Sequence, residues 1–407
     1  MKILLITQYF YPENFKSNDL AFELVKRGHT VDALVGIPNY PKGVYYKGYG
    51  IFKKRKEIIE GVNVYRCLQF PRGTKSNIRL AINYLSYSFF ASIWVLCYLG
   101  LMKKYDAIIV FAPSPIIQAI PAILLRKMRR TLLFLWIQDI WPDAMMSGGG
   151  VRNEKILCGV NYLVKLIYRS CDILLISSKR FSESILSKGA FQNKIVYYPN
   201  WSDDMKKKKG NEPNISFPKG YKIVFAGNLG RSQDLPAVMK VVLLLSDIKE
   251  IKWIFVGDGS QKKWLHDFVS ENKLEDNVSI LGQYPPSCMP TIYEKADALF
   301  LSLRSDFEHL KMVVPSKLQS YMSAGKPILG MIDGGAADII NEAHCGYVVS
   351  AGDYQKMADL IRNTVINNVE AFKVLGDNGR IYYESNFTKQ TSIDHLCHIL
   401  NKKIKNK

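Results

Sequence analysis

The feature that most constrains this chain is a rhythm of short β-branched apolar runs alternating with helical stretches. In the first half the runs are "ILLIT" (3–7), "TVDALVG" (30–36), "VNVYRC" (62–67), "DAIIVF" (106–111), "TLLFLWI" (131–137) and "DILLIS" (172–177). Apolar residues at consecutive positions belong to strands covered on both faces, and the intervening helices supply the crossovers, so the rhythm predicts a doubly wound parallel sheet. Residues 199–220, "PNWSDDMKKKKGNEPNISFPKG", break it with Pro, Asn, Gly and four consecutive lysines and read as a linker. A second series follows: "YKIVFAG" (221–227), "IKWIFVG" (251–257), "NVSILG" (277–282), "DALFLSL" (297–303), "KPILGMI" (326–332) and "GYVVS" (346–350). A chain of 407 residues accommodates two domains, each with its own core. The expected organisation is 1–200 and 201–385 as Rossmann-like domains, with a terminal helix over 386–407 packing back on the first domain or lying in solvent. Open α/β sheets bind ligands at the carboxyl ends of their strands, so a cleft between two such ends is the expected site.

Charge narrows the partners. With 55 Lys and Arg against 36 Asp and Glu, the chain carries +19 and calls for nucleic acid, a phosphate-rich substrate or an anionic membrane surface. No nucleic-acid-binding module accompanies the charge, so no nucleic acid partner is expected. The seven cysteines are scattered without a Cys-x-x-Cys pair, so neither a disulfide framework nor a zinc site is signalled and a reducing cytoplasm fits. The opening "MKILLITQYFYPEN" has too short an apolar run for a signal-peptide core and reads as a first strand. Residues 80–102 are apolar over a length that admits a buried helix, an interfacial helix or a transmembrane span, although Asn83, Ser86, Ser88 and Ser92 interrupt them. Lys53 to Lys56, Lys103 with Lys104, and Arg126 to Arg130 are basic clusters that suit either a solvated face or an anionic membrane.

Three strand ends of the second series open into glycine-bearing loops. "AGNLGRSQDL" (226–235) presents Gly227, Asn228, Gly230 and Arg231, "VGDGSQ" (256–261) presents Gly257 and Gly259, and "LGQYPP" (281–286) presents Tyr284. Glycine lets a backbone approach a ligand, and an Arg fork suits diphosphate oxygens. In "VVPSKLQSYMSAGKPI" (313–328), Pro315 suits a helix first turn, and Gly325 with Pro327 stops the helix. Ser316 and Lys317 then stand at a helix N-terminus, either a phosphate seat or an ordinary crossover start with a solvated lysine. In the first domain "QYFYPENFKSND" (8–19) offers Tyr11, Asn14, Lys16, Asn18 and Asp19, "GIPNYPKGVYYKGY" (36–49) offers Tyr40, and "WIQDIWPDAMMSGGG" (136–150) places Asp139 and Asp143 around Trp141. Such loops suit sugar hydroxyls and faces, or simply good packing. No Asp-x-Asp, Walker loop, Gly-x-Ser-x-Gly or Gly-x-Gly-x-x-Gly fingerprint is present.

Taken in order, "YFYPE", "KRGHTV", "GIPNYPKG", "QDIWPD", "YYPNWSD", "FAGNLG", "FVGDG" and "VPSKLQSYMSAGKPI" resemble the retaining glycosyltransferases of family 4, in the branch that assembles bacterial O-antigen, capsule and exopolysaccharide and includes N-acetyl-L-fucosamine transferases. The resemblance implies an α/β chain of GT-B fold. It implies transfer of an N-acetylated sugar from a UDP-sugar to an undecaprenyl-diphosphate-linked glycan, at the cytoplasmic face of an anionic inner membrane. It places the donor on Gly227, Asn228, Gly230, Arg231, Gly257, Gly259, Tyr284, Ser316, Lys317 and Ser320, and the acceptor on Tyr11, Asn14, Lys16, Asn18, Tyr40 and Trp141. Asp139, Lys317, Arg231 and Glu308, with His309 beside it, are the implied catalytic residues. No cofactor and no metal is expected. Two departures stand out: Met312 and Ser320 occupy the positions where many members carry a pair of Glu residues, and Asn228 replaces an Arg of the diphosphate clamp. A UDP-sugar 2-epimerase or a non-enzymatic nucleotide-sugar-binding scaffold would share the fold and the donor loops.

Overall fold

The computed structural model describes residues 1–74, 76–149, 151–207 and 215–405. They form two compact units, one of residues 1–198 with 393–407 and one of residues 199–392. The first unit holds eight strands, β1 (Lys2–Thr7), β2 (Thr30–Val35), β3 (Lys56–Ile59), β4 (Val62–Arg66), β5 (Ala107–Ala112), β6 (Leu132–Ile137), β7 (Ile173–Ile176) and β8 (Ile195–Tyr197). Their order is β3-β4-β2-β1-β5-β6-β7-β8. All neighbours are parallel except β3 and β4. The central strands are apolar along their length because helices cover both faces: β5 is buried throughout, as are Ile3 to Thr7 of β1. Strand order reverses between β1 and β5, so the loops after β1, β2, β5 and β6 gather at the carboxyl edge where such sheets bind ligands.

The sequence reading omits β3 and β8. β3 is a four-residue edge strand, "KEII", with exposed Lys56 and Ile58, and reads in sequence as the end of a basic cluster. Its partner fixes it: Ile59 pairs with Val62 across a two-residue turn, Glu60-Gly61, with φ of 47° and 79°. Positive φ at both central positions is the type I′ geometry that follows the twist of a hairpin, and Gly61 adopts it without steric penalty.

Helices α1 (Lys16–Lys26), α2 (Asn77–Trp94), α3 (Ile120–Arg129) and α4 (Glu154–Ser170) cover the first sheet. The chain moves in one direction through β4, β5, β6 and β7, so right-handed crossovers put α2, α3 and α4 on one face, and α3 packs against both of the others. The helical stretch Asn77–Met102 is long and apolar enough to cross a membrane by length and composition.

The second unit contains β9 (Tyr221–Ala226), β10 (Ile251–Val256), β11 (Val278–Gly282), β12 (Ala298–Ser302), β13 (Ile328–Met331) and β14 (Gly346–Val349), all parallel, in the order β11-β10-β9-β12-β13-β14. Alternate residues of β9 feed the two cores, Ile223 and Phe225 on one face, Val224 and Ala226 on the other. The switch point lies between β9 and β12. Helix α5 (Lys317–Ala324) follows the loop after β12, which brings Lys317 to that point.

Residues 208–214 of the expected linker lie outside the described residues. The part before them is no loose connector: Trp201 is buried, Asp204 accepts a two-pronged salt bridge from Arg380 at 2.7 and 2.8 Å, and the Met205 amide donates to Ser323 Oγ at 2.8 Å. The last helix, α6 (Lys389–Lys405), joins the first unit from Ile393 onward. There Asp394 pairs with Arg27 at 2.9 Å and His395 lies against Tyr198 with ring centroids 6.2 Å apart.

Candidate functional site

Backbone builds the site of the second unit. The Gly227 amide donates to the Val256 carbonyl at 2.8 Å and the Gly257 amide to the Gly282 carbonyl at 2.8 Å, so the loops after β9, β10 and β11 are knitted edge to edge. A Cβ at Gly257 would lie 1.8 Å from the Gly227 carbonyl oxygen, one at Gly259 would lie 2.5 Å from the Leu229 backbone, and one at Gly230 would lie 2.7 Å from Asn228 Nδ2. Gly257 and Gly259 are therefore required by loop-to-loop packing, and Gly230 by the Asn228 side chain of its own loop. Gly227 differs. It holds φ at +132°, and the nearest atom to a Cβ built there is Lys317 Cδ, at 3.9 Å. The missing side chain at Gly227 leaves open space in front of Lys317.

Lys317 is the first residue of α5, with Ser316 exposed before it. Its side chain is not the solvated lysine of an exposed helix start. The ammonium lies 4.2 Å from the Phe225 ring centroid and donates to Gln233 Oε1. Although the residue keeps some solvent exposure, the ammonium is enclosed, and burial pushes its pKa down to about 7. No ion pair to Lys317 occurs among the described residues. Gln233 is held in turn: Ser302 Oγ donates to its carbonyl at 2.6 Å, and the Arg304 amide binds the Ser232 carbonyl at 3.0 Å. One turn along α5, the buried Tyr321 hydroxyl accepts from the Ala226 amide and donates to the Ala226 carbonyl, both at 3.1 Å, which ties the helix start to the end of β9. The result is a desolvated cation at a helix N-terminus, facing an open backbone turn at the switch point of the sheet.

The other expected donor residues distribute unevenly. Asn228 and Arg231 are exposed on the β9 loop, and Arg231 has no side-chain partner among the described residues. Tyr284 packs half-buried on the core beneath β11. Ser320 shares a hydrogen bond with Ser202, Oγ to Oγ at 2.9 Å. Glu308 is exposed and paired with Lys311 at 2.6 Å, three residues along the short helix Glu308–Met312. An exposed pair of this kind is a weak surface interaction.

Side chains build the corresponding edge of the first unit. Burial raises the Asp139 carboxyl to about 7. Tyr84 feels the Asp139 charge and shares a hydrogen bond with Tyr9, and Arg72 lies within the field of both tyrosines. The Arg72 guanidinium stacks 4.9 Å from the centroid of Tyr40, whose ring also meets Phe15 and Tyr9. Trp141 donates from Nε1 to Ser114 Oγ at 3.2 Å. Tyr11 and Asn14 are exposed, and Lys16 opens α1. Asn18 braces the loop: its Oδ1 accepts from the Tyr11 amide at 3.0 Å and its Nδ2 donates to the Glu13 carbonyl at 2.7 Å.

The sequence reading missed Glu13. Its buried carboxylate accepts from the amides of Asn39 and Tyr40 at 2.7 and 2.6 Å, clamping the loop after β2 to the loop after β1, and burial raises its pKa to about 7. A carboxylate directly after Tyr-Pro at a strand end was the available signal. Gln233 and Tyr321 were also missed; Tyr321 stands four residues after Lys317, the spacing that shares a helix face. Among the described residues no three His, Cys, Asp or Glu side chains converge on a metal-sized site.

Comparison with known proteins agrees with this architecture. Residues 206–381 match the family of glycosyl transferases group 1. The chain is 25% identical over 347 residues to the probable glycosyltransferase WbjE of Pseudomonas aeruginosa, covering 81% of this chain and 82% of that protein. Among solved structures it is similar to sucrose-phosphate synthase from Thermosynechococcus elongatus, with a TM-score of 0.73, 14% identity and full coverage of both chains. It is also similar to Anabaena Alr3699/HepE in complex with UDP, with a TM-score of 0.70, 17% identity and coverage of 99% and 100% of the two chains. The fold is GT-B, two Rossmann-like α/β domains.

Proposed function

From a chain of GT-B fold whose second unit carries the glycosyl transferases group 1 match, we propose a retaining glycosyltransferase that moves a sugar from a UDP-sugar to a glycan acceptor without a metal ion. The observation that carries this reading is Lys317, a desolvated cation with no anionic partner among the described residues, at a helix start in front of the open turn at Gly227. A buried charge without a partner is costly, and a diphosphate supplies the missing countercharge. Cleavage of the sugar–diphosphate bond concentrates negative charge on the leaving oxygen, so a fixed ammonium and helix dipole act more strongly on the transition state than on the bound donor. In this reading Arg231, exposed on the same loop as Gly227, adds a second cation to the diphosphate. The acceptor hydroxyl attacks from the side the diphosphate leaves, and the departing phosphate oxygen takes its proton, so no second carboxylate is required. Asp139 orients the acceptor hydroxyl or the donor sugar.

The finer assignment, an N-acetylated sugar added to an undecaprenyl-diphosphate-linked glycan in bacterial surface-polysaccharide assembly, rests on the ordered motif series. The test is a panel of UDP-sugars offered with lipid-linked acceptors, with product analysis, in EDTA and with added manganese. Transfer in EDTA with retained anomeric configuration is expected. Transfer that needs manganese refutes the metal-free mechanism, interconversion of the donor without acceptor makes the chain an epimerase, and UDP binding without turnover makes it a scaffold.

A further inference from the structure

Helix α2 is built the wrong way round for a surface helix in water. Ile78, Ile82, Leu85, Phe89, Ile93 and Leu96 recur at spacings of three and four, one face of a helix continuing past Trp94, and every one is exposed, Ile78 by 74% and Leu85 and Phe89 by 61% each. Past its first turn, polar residues point inward. Asn83, fully buried, accepts from Gln8 Nε2 at 2.7 Å and donates to the Phe70 carbonyl. Ser86 Oγ accepts from the Phe70 amide at 3.0 Å, Ser88 Oγ donates to the Ile117 carbonyl at 3.0 Å, and the Tyr87 hydroxyl donates to the Leu34 carbonyl at 3.0 Å. Lifting the helix out of the unit to span a bilayer would break all of these bonds in a medium that offers no replacement. Leaving it in place exposes a contiguous apolar stripe about five turns long, which soluble surfaces avoid unless it serves a contact.

The surroundings name the occupant. At the carboxyl end, Lys56 Nζ lies 4.6 Å from the Tyr98 ring centroid and 5.8 Å from that of Trp94, an aromatic and cationic border suited to a headgroup region. The Arg129 guanidinium caps the Gly100 and Leu101 carbonyls, and Lys104 and Lys127 are exposed nearby in the chain and on α3. α4, in the same helical layer, adds exposed Tyr162 and Leu166. An apolar stripe bordered by cations complements an anionic bilayer and repels its own copy, because the whole chain carries +19.

We propose that this outer face of the first unit docks on an anionic lipid surface, with α2 lying along the interface and its apolar stripe in the acyl boundary. The proposal does not depend on the donor reading, since α2 belongs to the other unit from Lys317.

The experiment is co-sedimentation of the full chain with phosphatidylcholine vesicles, with and without phosphatidylglycerol, at low and high salt. It is repeated for Leu85→Glu with Phe89→Glu, and for Lys104→Glu with Lys127→Glu. Wild type should bind the phosphatidylglycerol vesicles, the apolar pair should lower binding by about tenfold or more, and the charge pair should lower it and flatten its salt dependence. Both variants should melt and bind UDP like wild type, because all four side chains are exposed; loss of UDP binding in wild type would count against the donor reading alone. Vesicle binding unchanged in the apolar pair, or absent in wild type, overturns the proposal. So does a wild-type dimer in sedimentation analysis that the apolar pair dissociates, since a second copy would then cover the stripe, and so does resistance of native membrane-bound protein to carbonate extraction, since α2 would then span.

Discussion

Among the described residues, each unit holds at the carboxyl edge of its sheet a buried titratable group without an ion-pair partner, Lys317 in one and Asp139 in the other, and the two differ in sign. Lys317 is lowered and Asp139 is raised, both to about 7, and in both cases burial is the cause. Around Lys317 the walls are backbone: glycine turns hydrogen-bonded loop to loop, with Gln233 and Tyr321 as the side-chain struts. Around Asp139 the walls are side chains, Tyr9, Tyr84, Arg72 and Tyr40, carried on longer loops that Glu13 and Asn18 brace. Rigid backbone around a cation suits one invariant group, a diphosphate. Aromatic rings and loop-borne polar groups suit hydroxyl-rich ligands, and loop side chains change without disturbing the sheet.

Four measurements break or sharpen that contrast. Lys317→Met should lower kcat by on the order of a hundredfold or more, through loss of a charge aimed at the leaving oxygen. Below pH 7 it should raise the melting temperature of the ligand-free protein. A lysine whose folded pKa is depressed destabilises the fold fully below that value and ceases to do so above its unfolded pKa near 10.4, so the gain should vanish by about pH 10. If kcat stays within threefold, α5 is merely structural.

Asp139→Asn should lower kcat by roughly a hundredfold at most and leave UDP affinity untouched, since the group stands in the other unit. Wild type should lose rate as pH falls through about 7, where Asp139 takes up a proton, and the Asn variant should lack that limb. A changed UDP Kd in this variant would erase the division of labour.

UDP-sugar affinity should fall as pH rises above 7, by up to about tenfold per unit, because the diphosphate raises the Lys317 pKa and binding takes up a proton there. Titration calorimetry in buffers of different ionisation heat reads that proton directly; its absence would mean that Lys317 is neutral in the complex.

The smallest effect belongs to Glu13→Gln. With a folded pKa raised to about 7, the Glu13 carboxyl stabilises the fold below its unfolded pKa near 4.3 and loses that contribution as pH rises through 7. The Gln variant, still an acceptor for the two amides, should match wild type below about pH 4 and melt higher at pH 8, where wild type carries the buried charge. A lower melting temperature at pH 8 would show that the clamp needs the charge.

Much of the architecture was legible because its signals are local. Twelve of the fourteen strands fall on the apolar runs quoted at the outset, since a strand buried on both faces must be apolar at consecutive positions. β3 escaped because an edge strand half in water needs no apolar run: Lys56 and Ile58 are exposed, and Glu57 and Ile59 are half-buried. Ser316 and Lys317 were legible as a helix start from Pro315 and Gly325. The enclosure of Lys317 was not, because Gln233, Phe225 and Gly227 lie far from it in the chain.

By itself, then, the sequence determined the two doubly wound sheets, the place of the glycine loops at their carboxyl ends and the helix start at Lys317, all consequences of periodicity and turn chemistry within a few residues. Tertiary structure decided what those residues are for. Gly257 and Gly259 pack loop against loop, open space at Gly227 faces Lys317, Glu308 pairs with Lys311, Glu13 clamps two loops, and the apolar side of α2 faces outward. Charge state, partner and exposure depend on atoms brought together from distant parts of the chain, and no local pattern encodes that distance.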